Sequence, residues 1–432
     1  MAQHSVSGHH VKTLPADLSA PAFVDTWRTR ALIIGCIFSV LAVVIGFMSG
    51  DHWQHFLRAW LHGYMICFDF CCGGMVLLMV QYLSGGKWGL IIRRPLEAMT
   101  RTLPLVILYF LPVGIFGMTF GRLYIWSKYA DWATALKEHL ITVEQAHAIH
   151  FKHVILNPVG FWGTSLGAFA IIGTYIYFLN KLSLKRDADP ESNFRYWQVR
   201  FENISGFGVL LYALLLFICV VYWVMSLDPT FYSAVYGLQF LVGEGYGVLA
   251  LSILTLIALS KAEPIKTAFR VTEQHDMGKL CFAFVMLNIY LAFGAFLIIW
   301  SGNSPDEIPW YLDRIRGGWG VIATLDFIFH WLLPFTLLLS SNLKRIKGRL
   351  ALVCCIMIFA RYWDMFWLIE PNFKDAARNL HFSIGLLEYA TLPVAMIAFW
   401  MAYYFTQLKK RPIVAVNDPH LPQILEPEHA HA

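Results

Sequence analysis

Residues 54–83 read QHFLRAWLHGYMICFDFCCGGMVLLMVQYL, and this stretch decides the fold. Apart from its histidines it carries two formal charges, Arg58 and Asp69, in an otherwise apolar or uncharged run. A helix rises about 1.5 Å per residue, so about 20 such residues cross the hydrocarbon of a bilayer. The apolarity is continuous rather than alternating, which predicts a spanning helix and not a barrel strand. Working outward, comparable runs occur near 30–49, 102–125, 158–180, 204–226, 234–260, 278–300, 317–341, 349–370 and 384–407. The sequence therefore predicts an all-α polytopic membrane protein with ten transmembrane helices.

Composition agrees. Hydrophobic types make up 58% of the 432 residues and charged types 14%, with a mean hydropathy of +0.56, against roughly 25% charged residues in ordinary soluble domains. This excludes a soluble enzyme, a disordered chain and a nucleic-acid binder. The eight cysteines all lie in apolar runs. They form no C-x-x-C-H haem motif, no C-x-x-C pair for zinc or iron–sulfur and no loop framework for disulfides, so they read as small hydrophobes.

Lys and Arg set the expected topology. The side that holds both tails carries 23 of them and the opposite side 7, while Arg58, Arg122 and Arg361 lie inside spans. The positive-inside rule then places both termini in the cytoplasm. The tails, 1–29 and 408–432, read as solvated or lightly docked, and residues 84–101 as a loop on the inner side. The first span is not a cleaved signal sequence, because a polar tail precedes it and no small-x-small cleavage site follows. In the long outer loop, 141–153 reads as a short helix. It carries His147, His150 and His153 at i, i+3, i+6, with His139 just before it. No carboxylate or Cys completes a ligand set there, so a partner-contacting or solvated helix is the simpler reading.

Ionisable residues inside spans are expensive and usually face the bundle interior. His55, His62 and Asp69 are spaced by seven, with Arg58 one turn from the first two, and share one face of helix 2. Arg122, at the outer end of helix 3, is placed to pair with Asp69 or His55. Glu244 lies in Gly243-Glu244-Gly245 of helix 6, where glycines permit close helix approach. Helix 8 carries Asp326 and His330 at i, i+4, near enough to hydrogen-bond, with Pro334 following to loosen the backbone. Helix 9 carries Arg361 and Asp364 at i, i+3, and helix 10 carries Glu388. Under the expected topology nearly all of these lie in the outer half of the membrane or at its centre. Two readings stand for each group. One is a proton path built from His62, Asp69, Glu244, Asp326, His330, Arg361, Asp364 and Glu388, because neutral His and protonated carboxyl both shuttle protons. The other is a set of buried ion pairs that fix helix packing. Arg58, His62, Asp69 and Arg122 are in addition the candidate quinone-binding residues, since a His–carboxylate pair can accept the two protons of a quinol. No metal site, no catalytic residue and no nucleotide motif is read here.

Several longer motifs point to a family. They are Ser84-Gly85-Gly86-Lys87-Trp88-Gly89 with Arg93-Arg94-Pro95-Leu96-Glu97, then Ser226-Leu227-Asp228-Pro229 through Tyr236-Gly237, and His275-Asp276-Met277-Gly278-Lys279-Leu280. Next come Ile299-Trp300-Ser301-Gly302-Asn303 and Trp310-Tyr311-Leu312-Asp313-Arg314 with Gly317-Gly318-Trp319-Gly320. Arg361-Tyr362-Trp363-Asp364 through Glu370-Pro371 closes the series. In this order, over about residues 50–405, the chain resembles the ActF subunits of alternative complex III, a bacterial quinol:cytochrome c oxidoreductase, within the NrfD/PsrC-like membrane subunits.

The resemblance implies a membrane domain over 30–407, with one four-helix bundle over about 54–226 (helices 2–5) and a second over about 234–370 (helices 6–9). Helices 1 and 10 flank them. It implies that this chain binds no cofactor of its own, with menaquinol or another quinol as the possible ligand. The expected partners, besides the lipid bilayer, are an ActC-like paralogue, multihaem cytochromes c and an iron–sulfur subunit, whose haem c and iron–sulfur clusters carry the electrons. The expected location is the bacterial inner membrane, and the expected role a proton-conducting path and scaffold. Asp69, Glu244 and the Cys67/Cys71/Cys72 cluster stand where the family leads one to expect apolar or small residues. The competing readings are a proton-coupled secondary transporter, which would show broken helices in two inverted halves, and a purely structural anchor.

Overall fold

The computed structural model describes residues 13–189, 193–305, 307–373, 383–418 and 420–425. It is 81% helical, and no strand occurs among the described residues. The long helices are α1 (Phe23–Ser49), α2 (Gln54–Ser84), α3 (Lys87–Thr100), α4 (Leu103–Pro112), α5 (Pro158–Asp187), α6 (Phe194–Trp223), α7 (Tyr236–Leu259), α8 (Val271–Gly302), α9 (Trp319–Leu339), α10 (Lys347–Ile369) and α11 (Glu388–Lys409). A short α12 (His420–Leu425) follows. Nine of the described helices are individually long and apolar enough to cross a membrane. The expected third span is the bent one. α3 and α4, the latter running on as a π-helical turn through Thr119, make an angle of 41° and together pass as a tenth crossing. The chain is a multi-pass, all-α membrane protein.

Helix packing builds two four-membered groups. α2, the α3/α4 pair, α5 and α6 pack in a ring, and α7, α8, α9 and α10 pack in another. α2 and α7 meet where the groups join, while α1 lies along α11, which leans on α2. Burial follows this order. The most apolar window of α2 is 94% buried and that of α7 83%, whereas those of α1 and α8 are 17% and 11% buried. The outer helices turn bare Leu, Ile, Val and Phe outward, such as Ile33, Val40, Phe47, Leu287, Phe293 and Ile298. That is a lipid face, because hydrocarbon imposes no penalty on apolar surface.

One sequence expectation changes and another is narrowed. Residues 84–101 do not form a loop. α3 is buried from Gly89 to Thr100, because its charges find partners. Arg94 NH1 donates to Glu97 Oε2 at 2.6 Å, Arg94 also pairs with Asp187, and Ser183 donates to Glu97 Oε1 at 2.5 Å. Of the two expected states of the C-terminal tail, solvated or lightly docked, its described residues up to 418 take the docked one, and more firmly than expected. Ile413 N donates to Leu18 O (2.9 Å), Arg93 NH2 to Asp418 Oδ2 (2.7 Å), and Asn417 Nδ2 to the carbonyls of Asp187, the last residue of α5, and Asp189 (2.7 and 2.8 Å). Residues 1–12 and 426–432 lie outside the described residues, as do Lys374 and Arg378 of the topology count.

In the long loop, Val143–Lys152 is helical as read. A capping box of Thr142 and Gln145 satisfies the first free N–H groups at its start. His150 packs against the Trp132 ring, with centroids 4.7 Å apart.

Candidate functional site

The centre of the site is Arg361 on α10, 3% exposed. Its guanidinium reaches between the two helix groups. Nε and NH2 lie 2.9 and 2.8 Å from Asp69 Oδ2 on α2, and NH1 donates to Asp364 Oδ2 at 2.6 Å. Gly243 on α7 makes the room. A Cβ there would sit 2.5 Å from the Arg361 Cζ. Gly73 on α2 does the same for the backbone, since its Cβ would lie 3.0 Å from Glu244 Cβ and 3.1 Å from Glu244 O. The glycines thus set how closely α2 and α7 cross. Glu244 itself is fully buried and accepts from Tyr212 Oη at 2.9 Å to each carboxylate oxygen.

Beyond Asp364 the trail runs to α9. His330 Nδ1 lies 3.9 Å from Asp364 Oδ2 and 3.8 Å from Asp326 Oδ1. The i, i+4 pair of Asp326 and His330 is therefore close but longer than a hydrogen bond. The reason is local. Phe327–Leu332 is a π-helical turn, wider than the α-helix that the spacing presumed. Pro334 follows it and has no N–H for the carbonyl of His330 four residues back. The Tyr246 hydroxyl donates to that carbonyl instead, at 3.2 Å. Aspartate 326, His330 and Asp364 make the one group of three ligand-type side chains gathered within 4.8 Å among the described residues.

In the other direction the site climbs toward the start of α2. His62, fully buried, has Nε2 3.0 Å from the carbonyl of Tyr362, the neighbour of Arg361. A carbonyl only accepts, so Nε2 carries the proton and Nδ1 keeps a lone pair, buried without a partner. The Tyr362 hydroxyl donates to the carbonyl of Tyr389, and Tyr389 Oη donates to Glu370 Oε2 at 2.5 Å. Arg58 NH1 donates to Glu370 Oε1 at 3.0 Å, and His55 Nε2 stands 3.8 Å from the same oxygen. His55 Nδ1 meets Asp51, which also accepts from the N–H groups of Trp53 and His55 at 3.1 and 3.0 Å. Asp51 lies between α1 and α2. Partial burial pushes its carboxyl up, but the backbone and ring of His55 outweigh that and hold it down at about 2.

The proposed proton-path residues are thus mostly contiguous. Asp69, Arg361, Asp364, His330 and Asp326 form one cluster, and His62 touches it through Tyr362. Glu244 lies across Gly73. Glu388, at the start of α11, stands apart. Its buried oxygens have no hydrogen-bond partner among the described residues and face Gly46 of α1. The candidate quinone residues do not converge on a shared space. Arg58 is held by Glu370, Asp69 by Arg361, and Arg122 donates to His52 O at 3.1 Å rather than to Asp69 or His55. Residues 52–53, which carry that carbonyl, adopt positive φ in the turn between α1 and α2.

Sequence reasoning missed Asp51, Glu370, Tyr362 and Tyr389. The available signals were a carboxylate closing helix 9, and the acidic residue just ahead of helix 2. No family model matches the chain, and no curated protein matches it by sequence.

Proposed function

We propose that this chain is a membrane subunit of a quinol:electron-acceptor oxidoreductase of the alternative complex III kind, in which it supplies a proton path and a scaffold while partner subunits carry the electrons. The observation that carries the reading is the polar trail from Asp51 through Glu370, Tyr389, Tyr362 and His62 to Arg361, Asp69, Asp364, His330 and Asp326. Ionisable groups are costly in a membrane interior and commonly mark ion or proton pathways. The family motifs support it independently. In the proposed orientation both termini face the bacterial cytoplasm, and the Asp51 end of the trail faces the opposite, electron-accepting side. The partners on this reading are an ActC-like subunit, multihaem cytochromes c and an iron–sulfur subunit. A quinol would meet the complex without a pocket formed by Arg58, His62, Asp69 and Arg122.

Along the trail the tyrosine hydroxyls and the His62 ring hold protons at defined atoms. The two gaps of 3.8 and 3.9 Å around His330 are of a size that one water or a small rotation of the ring closes. The opposing reading, a structural anchor, is favoured by the Arg361–Asp69 pair, which ties the two bundles together. One experiment separates them. The tagged chain is purified from its native membrane, its partners are identified by mass spectrometry and reduced spectrum, and quinol-driven proton release is measured in vesicles. Asp326→Asn and Asp364→Asn reduce proton release at unchanged subunit composition if the path is real. Untouched release with a weakened assembly favours the anchor, and a lone colourless protein favours a transporter.

A further inference from the structure

We propose that Asp326, His330 and Asp364 form a binding site for a divalent transition metal of the Zn2+ type. The ligand atoms are one imidazole nitrogen and two carboxylate oxygens, mutually within 4.8 Å. A tetrahedral Zn2+ holds N and O ligands at about 2.0–2.2 Å, which places neighbouring ligand atoms about 3.3 Å apart. The His330 Nδ1 distances of 3.8 and 3.9 Å therefore need an inward shift of only about half an ångström per contact. Three protein ligands with the fourth position open is a common zinc arrangement.

Two observations beyond the gathering of ligands point to a cation. The first is His330, which is 5% exposed and aims Nδ1 at both carboxylates from 3.8 and 3.9 Å, while the facing Asp326 Oδ1 is buried without a hydrogen-bond partner. Buried polar atoms that face one another beyond bonding distance are costly, and a metal ion between Nδ1 and the two carboxylates supplies the missing contact. The second is the balance of oxygen donors. Asp69, Asp326 and Asp364 bring three carboxyl groups against the single guanidinium of Arg361, an excess of oxygen donors that suits a divalent cation. Arg361 does not compete for the ligand role, since it has no lone pair to offer. It orients Asp364 as hydrogen-bonded outer residues commonly orient ligating carboxylates. The π-helical turn Phe327–Leu332 carries His330 and gives the ring the backbone latitude to close on the ion. The carboxylates of Asp326 and Asp364 are 17% and 13% exposed, so the triad opens outward through them.

Binding itself does not depend on the proton-path reading. Its consequence rests on that reading: Zn2+ at the triad occupies three of the path's groups and blocks it. The test is calorimetric titration of the full-length purified chain with zinc chloride, with no turnover involved. One equivalent is expected to bind, and His330→Ala and the near-isosteric Asp326→Asn each to weaken it at least tenfold. The loop double variant His147→Ala/His150→Ala is expected to bind as the wild type does. X-ray absorption at the zinc edge is expected to show a light-atom shell that includes imidazole. Absence of stoichiometric binding, loss in the loop variant with retention in His330→Ala, or a sulfur shell from the α2 cysteines overturns the proposal. Should His330→Ala fail to fold, the zinc-induced rise in melting temperature of the wild type, lost in Asp326→Asn, decides in its place. Zinc binding that leaves proton release unchanged sinks the proton path and not the metal site.

Discussion

Arg361 and Asp69 lie 292 positions apart and join the two helix groups through two nitrogens on one carboxylate oxygen, at 2.9 and 2.8 Å. Asp364 takes the remaining terminal nitrogen at 2.6 Å. Removing one partner of a buried pair leaves an uncompensated charge, which costs about 3–5 kcal/mol. Arg361→Gln strands two carboxylates and is expected at the upper end of that range, Asp69→Asn at the lower end. Replacing both partners together, Asp69→Leu with Arg361→Met, removes that pair but still strands Asp364, and is expected to recover only part of the loss relative to Arg361→Gln. Thermal unfolding of the three variants in one detergent checks the order. A double variant worse than the sum of its parts contradicts it.

Gly243 offers a sharper steric test. A Cβ there meets the Arg361 guanidinium at 2.5 Å, whereas a Cβ at Gly247, one turn on, lies 3.6 Å from Arg361 Cγ, an ordinary contact. The guanidinium is pinned by two carboxylates and cannot swing aside without breaking one of them. Gly243→Ala is therefore expected to destabilise by about 1–3 kcal/mol and Gly247→Ala to be close to neutral. Equal melting temperatures for the two variants would show that Arg361 has slack that the packing does not suggest.

How much of this was legible in the sequence depends on distance along the chain. The spans were legible because continuous apolarity needs no partner to be recognised. Arg361–Asp364 was legible because i, i+3 fixes proximity within one helix. Arg361–Asp69 was not, because no helical spacing relates residues on different helices, and Arg122 was accordingly assigned the wrong partner. α3 was read as a loop because its charges look exposed until Asp187 and Ser183 of α5 are known to face them. The gap between Asp326 and His330 was hidden by assuming a regular helix, although Pro334 marked the place where regularity fails.

The C-terminal tail carries its own pH dependence. Burial pushes the Asp418 carboxyl up, but the Arg93 and then the Arg186 guanidinium outweigh it and hold Asp418 below the usual carboxylate range. A folded value below the unfolded one means stabilisation that is complete above the unfolded value of about 3.9 and lost as pH falls through the depressed folded value. The tail is expected to stay docked from neutrality to about pH 4 and to release below it. Limited proteolysis by an acid-active protease across that range reads the release as cleavage after residue 411. Asp418→Asn is expected to release the tail at neutral pH as well, and a tail equally protected in that variant would show that Ile413 and Asn417 suffice.

The upper part of the trail separates conduction from assembly. Tyr389 plays two parts with different atoms. Its hydroxyl donates to Glu370 Oε2 at 2.5 Å, and its carbonyl accepts from the Tyr362 hydroxyl. Tyr389→Phe removes the first and keeps the second, so the packing of α11 on α10 stays in place. Glu370 retains Arg58 at 3.0 Å and is not left as a bare buried charge. On the proton-path reading the variant is expected to slow proton release about tenfold, equivalent to ~1.4 kcal/mol in the barrier. Acceptor reduction, read in the same vesicles, is expected to slow to the same extent only if proton exit limits turnover. Release and reduction both unchanged would mean that protons bypass Tyr389, and the route from His62 to Glu370 would then have to be abandoned in favour of one that leaves the cluster through Asp326.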